Sequence, residues 1–266
     1  LPVPLTCFSI MPSTGTVNVK YTGLTTPASK KDWINRLNNI SNWSASTDCP
    51  TYNGQVPVYS SGYTFSIIPG GFSSGYWTGL LDNNWFDCHN WQNYEVPDSL
   101  DNVTIDNVAN DPIIGASPVT YPNGAICNDL LITNTSGSGV LTLNNALSYF
   151  SIKGNITNNG IITGTNGLTE LRSINAQSFS GSGSTQFYNL RLNNSNASGV
   201  SLSQDVTVSN NLTFTTGMLS TGTNKLIITN TTVPTIIGYT NTKFINGNLR
   251  HHIANNTSTY VFPIGD

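Results

Sequence analysis

Short alternating apolar/polar runs recur through residues 130–228, and nothing else in the chain restricts its fold as much. Leu130-Leu131-Ile132-Thr133-Asn134 returns further along as Leu190-Arg191-Leu192-Asn193-Asn194. Phe150-Ser151-Ile152 is answered by Val206-Thr207-Val208, and Ile156-Thr157 by Leu212-Thr213. Gly160-Ile161-Ile162 is answered by Gly217-Met218-Leu219, so the second set keeps nearly the same shift as the first. A period of two sends alternate side chains to opposite faces of a strand. Runs of that kind, repeated at a steady spacing and divided by Asn, Gly and Ser, describe stacked strands with turns between them. The expectation is an all-β fold: a right-handed parallel β-helix, or solenoid. Its two repeat halves are expected to superpose as successive coils, with Leu130, Ile132, Leu190 and Leu192 pointing inward. In such a stack the turn asparagines can form hydrogen-bonded ladders.

The chain has 266 residues, enough for one large all-β domain or two smaller ones. Only 9% of residues are charged, but 37% are hydrophobic, which in periodic strands suffices to bury a core. The net charge is −3, and the ten cations are scattered, with Lys30-Lys31 the single adjacent pair. No basic stripe is visible in the sequence, which argues against a nucleic-acid partner. No run approaches the length of a membrane-spanning helix. Leu1-Pro2-Val3-Pro4 has neither a charged nor an apolar leader region, so the start reads as a processed segment. The strand-like Tyr260-Val261-Phe262-Pro263-Ile264-Gly265-Asp266 reads as continuing into more chain.

Three regions follow along the chain. Residues 1–75 read as a small β-rich cap domain with strands at 17–21 and 63–68. Its one helix starts at Ser29 and places Trp33, Ile34, Leu37 and Ile40 on one face. Residues 76–112 read as a Trp-rich junction module, and residues 113–266 as the β-helix. Cys7, Cys49, Cys88 and Cys127 form no metal-binding spacing. An even count in so neutral a chain favours disulfides and an oxidising compartment. Three pairings are open, of which Cys7–Cys49 with Cys88–Cys127 staples one module each.

Trp77-Thr78-Gly79, Asn84-Trp85-Phe86, Asn90-Trp91, Val96-Pro97 and Asp101-Asn102-Val103-Thr104-Ile105 together resemble a module of large secreted proteins of Bacteroidetes-type bacteria. Later stretches add to this: Lys153-Gly154-Asn155-Ile156-Thr157-Asn158-Asn159-Gly160, Gln177-Ser178-Phe179-Ser180-Gly181-Ser182-Gly183 and Tyr260-Val261-Phe262-Pro263-Ile264-Gly265. The resemblance spans about residues 76 to 266. It implies an adhesin-like, β-helical surface protein exported by type IX secretion, although the C-terminal sorting domain of such proteins has no counterpart here.

Candidate sites are few. Asp82, Asp87, Asp98 and Asp101 lead an acidic stretch that also holds Glu95, Asp106, Asp111 and Asp129. Carboxylates among turn carbonyls suit calcium, the one cofactor the pattern allows, but no calcium-loop motif is present and Asp is also a turn residue. Trp77, Trp85 and Trp91 offer aromatic faces for sugar rings; the competing reading, which we favour, is an apolar plug sealing the end of the solenoid. An enzymatic β-helix needs two carboxylates at a set distance. Glu170 and Asp205 are the candidates, with Arg172 or Arg191 nearby, but such acids must come from neighbouring rungs and nothing in the sequence fixes these two there. His89 reads as structural, and His251-His252 sit side by side, so strand geometry sends them to opposite faces. No serine-hydrolase elbow accompanies them. The favoured function is a non-enzymatic extracellular, cell-surface scaffold, an adhesin-like stalk, with surface glycans or other protein subunits as partners. The alternatives are a carbohydrate-binding or carbohydrate-cleaving (lyase or hydrolase) β-helix and a subunit of a surface filament or layer.

Overall fold

The computed structural model describes residues 15–20, 63–68, 75–87, 90–92, 96–135, 137–254 and 258–265. β1 (Gly15–Lys20) and β2 (Tyr63–Ile68) form a parallel two-stranded sheet within the expected cap region. The expected helix at 29–40 lies outside the described residues.

Everything from β3 (Gly75–Tyr76) onward belongs to one stack of parallel rungs. Coil 1 runs β4 (Val103–Ile105), β5 (Ile113–Ile114) and β6 (Ala125–Cys127). Coil 2 runs β7 (Leu130–Ile132), β8 (Val140–Leu143) and β9 (Tyr149–Ile152). Coil 3 runs β10 (Ile156–Asn158), β11 (Ile161–Gly164) and β12 (Leu168–Ser173). Coil 4 runs β13 (Gln177–Ser180), β14 (Ser184–Phe187) and β15 (Asn189–Asn194). Coil 5 runs β16 (Val200–Leu202), β17 (Val206–Val208) and β18 (Leu212–Thr216). In coil 6 a single long strand, β19 (Leu219–Ile228), covers two faces before β20 (Ile236–Ile237), and β21 (Ile245–His251) stacks on β19.

The three strands of a coil belong to three faces. The first stacks β4-β7-β10-β13-β16 and the start of β19, and the second stacks β5-β8-β11-β14-β17 and the end of β19. The third stacks β6-β9-β12-β15-β18-β20. Every ladder between these strands is parallel, so the expected β-solenoid is present, with about six coils. Stacking begins at β3, which pairs with β4, inside the stretch that the sequence marks as a junction.

Inward positions carry the core. Leu130, Ile132, Leu190 and Leu192 are buried, as expected, while Leu131 and Arg191 between them face outward and are half-buried. Ile152, Phe179, Phe187, Val208 and Phe214 continue the same apolar column into one cluster. Each such side chain gains about 1.5–3 kcal/mol by leaving water. The repeat, however, is not the one the sequence suggested. On the first face Val103, Leu130, Ile156, Phe179 and Leu202 stand on successive rungs, and Val200, Leu219 and Ile245 carry the stack onward. One coil is therefore less than half of the interval from Leu130 to Leu190. Leu130 lies on the first face and Leu190 on the third, so the sequence repeat joins different faces. It spans two coils and two further faces. The strand motif repeats at every face, so any whole number of faces produces a match.

Corners are held by side-chain amides and by glycine. Asn230 donates to Asn210 (3.0 Å), Asn210 donates to Asn189 (2.8 Å), and Asn189 donates to the Gly167 carbonyl (2.9 Å). This is the expected asparagine ladder, running over four coils between the second and third faces. At the opposite corner Gly181 adopts φ +123°, and a Cβ there would strike the Asn158 carbonyl. Only glycine fits.

Truncating an inward residue creates a cavity, whereas truncating its outward neighbour removes little. Leu192→Ala is expected to cost about 2–5 kcal/mol and Thr213→Ala less than about 0.5 kcal/mol, read from urea unfolding followed by circular dichroism. Equal losses would contradict the inward/outward assignment.

Candidate functional site

The tryptophans are inside. Trp77 and Trp85 are 0% exposed and Trp91 is 1% exposed. Trp91 meets Trp77 edge-on at 4.9 Å and Trp85 at 4.7 Å, and Trp85 in turn packs 5.3 Å from Phe150 of coil 2. Two of the indole N–H groups are spent on the scaffold: Trp77 Nε1 donates to the Asn110 carbonyl and Trp91 Nε1 to the Trp85 carbonyl. Trp85 Nε1 is buried with no acceptor in reach. With their rings covered on all sides, Trp77, Trp85 and Trp91 have no face left for a sugar. That corrects their assignment as carbohydrate-binding residues. Geared edge-to-face aromatics seal the first coil instead.

The acidic stretch is distributed over turns. Asp82 accepts from the Asn84 backbone (2.8 Å) and the Asn90 amide (2.6 Å). Asp98 accepts from the Leu100 backbone (2.7 Å) and Asp101 from the Asp98 backbone (3.0 Å). Asp129 accepts from the Asn155 backbone (2.6 Å). Among the described residues no three His, Cys, Asp or Glu side chains come together as a group that could hold a metal ion. Asp82, Asp98 and Asp101 close local turns, the ordinary use of Asp where backbone donors are orphaned, whereas Asp129 bonds across to the next coil.

Cys127 is a free thiol at the inward end of β6, in the rung position that Ile152 occupies one coil on. The expected Cys88–Cys127 disulfide is therefore not formed: the register that makes Cys127 a core residue turns its Sγ away from any surface partner. Cys7, Cys49, Cys88 and His89 lie outside the described residues. Burial, reinforced by the charges of Asp129 and Asp101, pushes the Cys127 thiol well above the usual range, which keeps it protonated and inert.

Glu170 and Asp205 do not meet. Glu170 projects outward from β12 on the third face, whereas Asp205 sits at the turn between β16 and β17 and accepts from the Lys225 backbone (2.8 Å). The neighbourhood that the sequence left open is therefore absent: the two acids lie on different parts of the coil. Glu170 is instead locked, at 3% exposure, in a network of its own. The Tyr149 hydroxyl donates to one carboxylate oxygen, and Asn193 Nδ2 donates to the other at 3.1 Å. Arg191 lies 3.7 Å from that second oxygen. Burial and the adjacent Glu170 raise the Tyr149 phenol above its usual range. A carboxylate held this way ties three coils together. Tyr149 and Asn193 were not legible as its partners. Their signal was the coil length, which sets Ser151, Glu170, Arg191 and Thr213 on successive rungs.

His251 and His252 split as strand geometry requires: His251 is buried with Nε2 2.9 Å from the Thr235 hydroxyl, and His252 is half-buried. Tyr260 and Phe262 pack on the His251 ring at 5.2 and 5.7 Å. Burial lowers the His251 imidazole below its usual range.

A cavity of about 520 Å³ opens between the third and first faces, bounded by the turns at 195–197 and 241–244 with the short turn at 216–218 as its floor. Its wall is neutral and polar (Ser195, Asn196, Thr216, Asn241, Thr242), with Met218 and Phe244 as apolar elements and Lys243 as its one charge. Searches against protein families, curated proteins and solved structures match nothing. The geometry therefore stands alone.

Two outcomes follow. Cys127 is expected to resist alkylation in the native protein and to react on unfolding without reductant, as read by peptide mass; a blocked thiol in the unreduced, unfolded chain would restore the disulfide. Because the folded-state pKa of His251 is depressed, its contribution to stability is complete above the unfolded value of about 6.5 and is lost as pH falls through it. Melting temperature is expected to decline below that pH in the wild type and to decline less in His251→Phe.

Proposed function

We propose that this chain is a non-enzymatic extracellular surface protein, an adhesin-like stalk or scaffold. The observation that carries the reading is the state of Glu170. It is the one carboxylate on a solenoid strand among the described residues, and it is consumed by Tyr149, Asn193 and Arg191. On the first and second faces the outward strand positions include Thr157, Ser178, Ser201, Ser220, Thr163 and Thr207. Neutral groups of that kind neither transfer protons near neutral pH nor stabilise an oxocarbenium ion. They hydrogen-bond well to sugars and to other chains, and a rigid column presents them in multiple copies, as weak multivalent attachment requires.

The cell-surface location and the type IX route rest on the sequence resemblance and on the neutral, Asn/Thr/Ser-rich composition. The free thiol of Cys127 withdraws the support that a Cys88–Cys127 disulfide would have lent. Among the described residues no helix is long and apolar enough to cross a membrane.

The test is a turnover screen of the protein against acidic and neutral polysaccharides, with and without calcium, reading new reducing ends and unsaturated products. No turnover is expected, and Glu170→Gln is expected to lower stability without altering any such readout. Cleavage that disappears in Glu170→Gln or Asp205→Asn would replace the scaffold by an enzyme.

A further inference from the structure

Cations that look scattered in the sequence are gathered by the coils onto one edge. Leu171 pairs with Ile152, the last pair of that ladder, so Arg172 and Lys153 each follow it by one residue, and the alternation along the strands puts both on the outward side. Arg172 pairs with Asn193, and Asn193 with Thr216. Lys153, Arg172, Asn193 and Thr216 therefore form one outward column over coils 2 to 5, with rungs about 4.8 Å apart. Thr216 leads directly into the cavity of about 520 Å³, whose far wall holds Lys243. Arg191 lies one outward position back from Asn193 on the same strand, with its side chain 39% exposed. Lys153, Arg172, Arg191 and Lys243 thus share one edge of the solenoid, and only Lys225 and Arg250, among the cations from Leu130 onward, lie elsewhere.

Opposing charge is nearly absent there. Glu170 is buried against Arg191, and Asp129, at the far end beyond Lys153, is bonded to the Asn155 backbone. Arg172 is exposed, Lys153 and Lys243 are half-buried, and none of the three has an ion-pair partner among the described residues. In a protein of net charge −3, a local ridge of this sign attracts anions that the molecule as a whole repels.

We infer that this ridge and the adjoining cavity bind an acidic polysaccharide lying along the solenoid axis. The rung spacing is close to the length of one sugar residue, so an acidic chain along the axis can set carboxylates at Lys153 and Arg172 at one end and at Lys243 at the other, with Asn193 and Thr216 between them. Amides and hydroxyls of Ser195, Asn196, Asn241 and Thr242 then serve the sugar hydroxyls, and Phe244 and Met218 the apolar side of a ring. A nucleic acid fits less well, because the column itself offers Lys153, Arg172, Asn193 and Thr216 and no series of aromatics to stack successive bases; Phe244 and Tyr239 stand only at its cavity end. The inference rests on the scaffold reading and gives that scaffold its ligand class.

Binding of the full chain to polygalacturonate, neutral dextran and single-stranded DNA tests it, in parallel with the assay for cleavage products. Two double variants carry the same net charge: Arg172→Glu/Lys243→Glu on the ridge, and Lys225→Glu/Arg250→Glu on the second face. Arg172→Gln/Lys243→Gln provides a milder ridge variant, and circular dichroism checks that each is folded. Polygalacturonate is expected to bind without turnover, more weakly as salt rises, and dextran and DNA to bind far less. The ridge variants are expected to lose roughly tenfold or more in affinity and the second-face variant little. Equal loss in both doubles, equal binding of dextran or DNA, or no binding of polygalacturonate overturns the ridge and leaves the scaffold standing. Cleavage of polygalacturonate overturns the scaffold itself.

Discussion

Parallel register between successive coils is the constraint on which the rest of this molecule depends. A rung can satisfy its backbone donors and acceptors only on the rungs before and after it, so each strand inherits the side-chain orientation of its neighbour. Slipping by one residue would turn Ile132, Ile156 and Phe179 out of the core together. The register therefore holds an apolar column inside and, by the same geometry, holds polar columns outside. Ladders such as Asn189–Asn210–Asn230 exist because identical groups recur at the same height on successive coils.

That stacking also decides what polar and charged side chains can do. Glu170 is flanked by Ser151 on one rung and Arg191 on the next, and the tyrosine and asparagine that complete its shell come from adjoining coils. The result is a cross-brace between coils rather than a reactive group. Lys153 and Arg172, well separated along the chain, are brought to the same end of adjoining rungs by the same mechanism. Variation in turn length adds the remaining relief. The short turn at 216–218, between longer ones, leaves the cavity beside Lys243.

The beginning of the stack shows how a solenoid closes without a disulfide at Cys127. Trp77, Trp85 and Trp91 cover the first coil with edge-to-face packing and join it to Phe150 in the second. An open end of stacked strands would leave core and backbone groups exposed to water. Three large rings fill that cross-section, and short aspartates close the turns that carry them.

The strand character, the inward positions of Leu130, Ile132, Leu190 and Leu192, and the asparagine ladders were all determined by the sequence alone. Each depends on a period of two or on the turn chemistry of a single residue type. The coil length was not readable, because a motif that recurs at every face matches itself at many shifts. The match of Leu130-Leu131-Ile132 to Leu190-Arg191-Leu192 falls on different faces for that reason. Whether Cys127 faces the core or a partner, whether tryptophans seal or bind, and which cations lie on one edge all depend on that length. Those were decided by the tertiary structure, since only the rung register states which residues, far apart along the chain, stand next to one another.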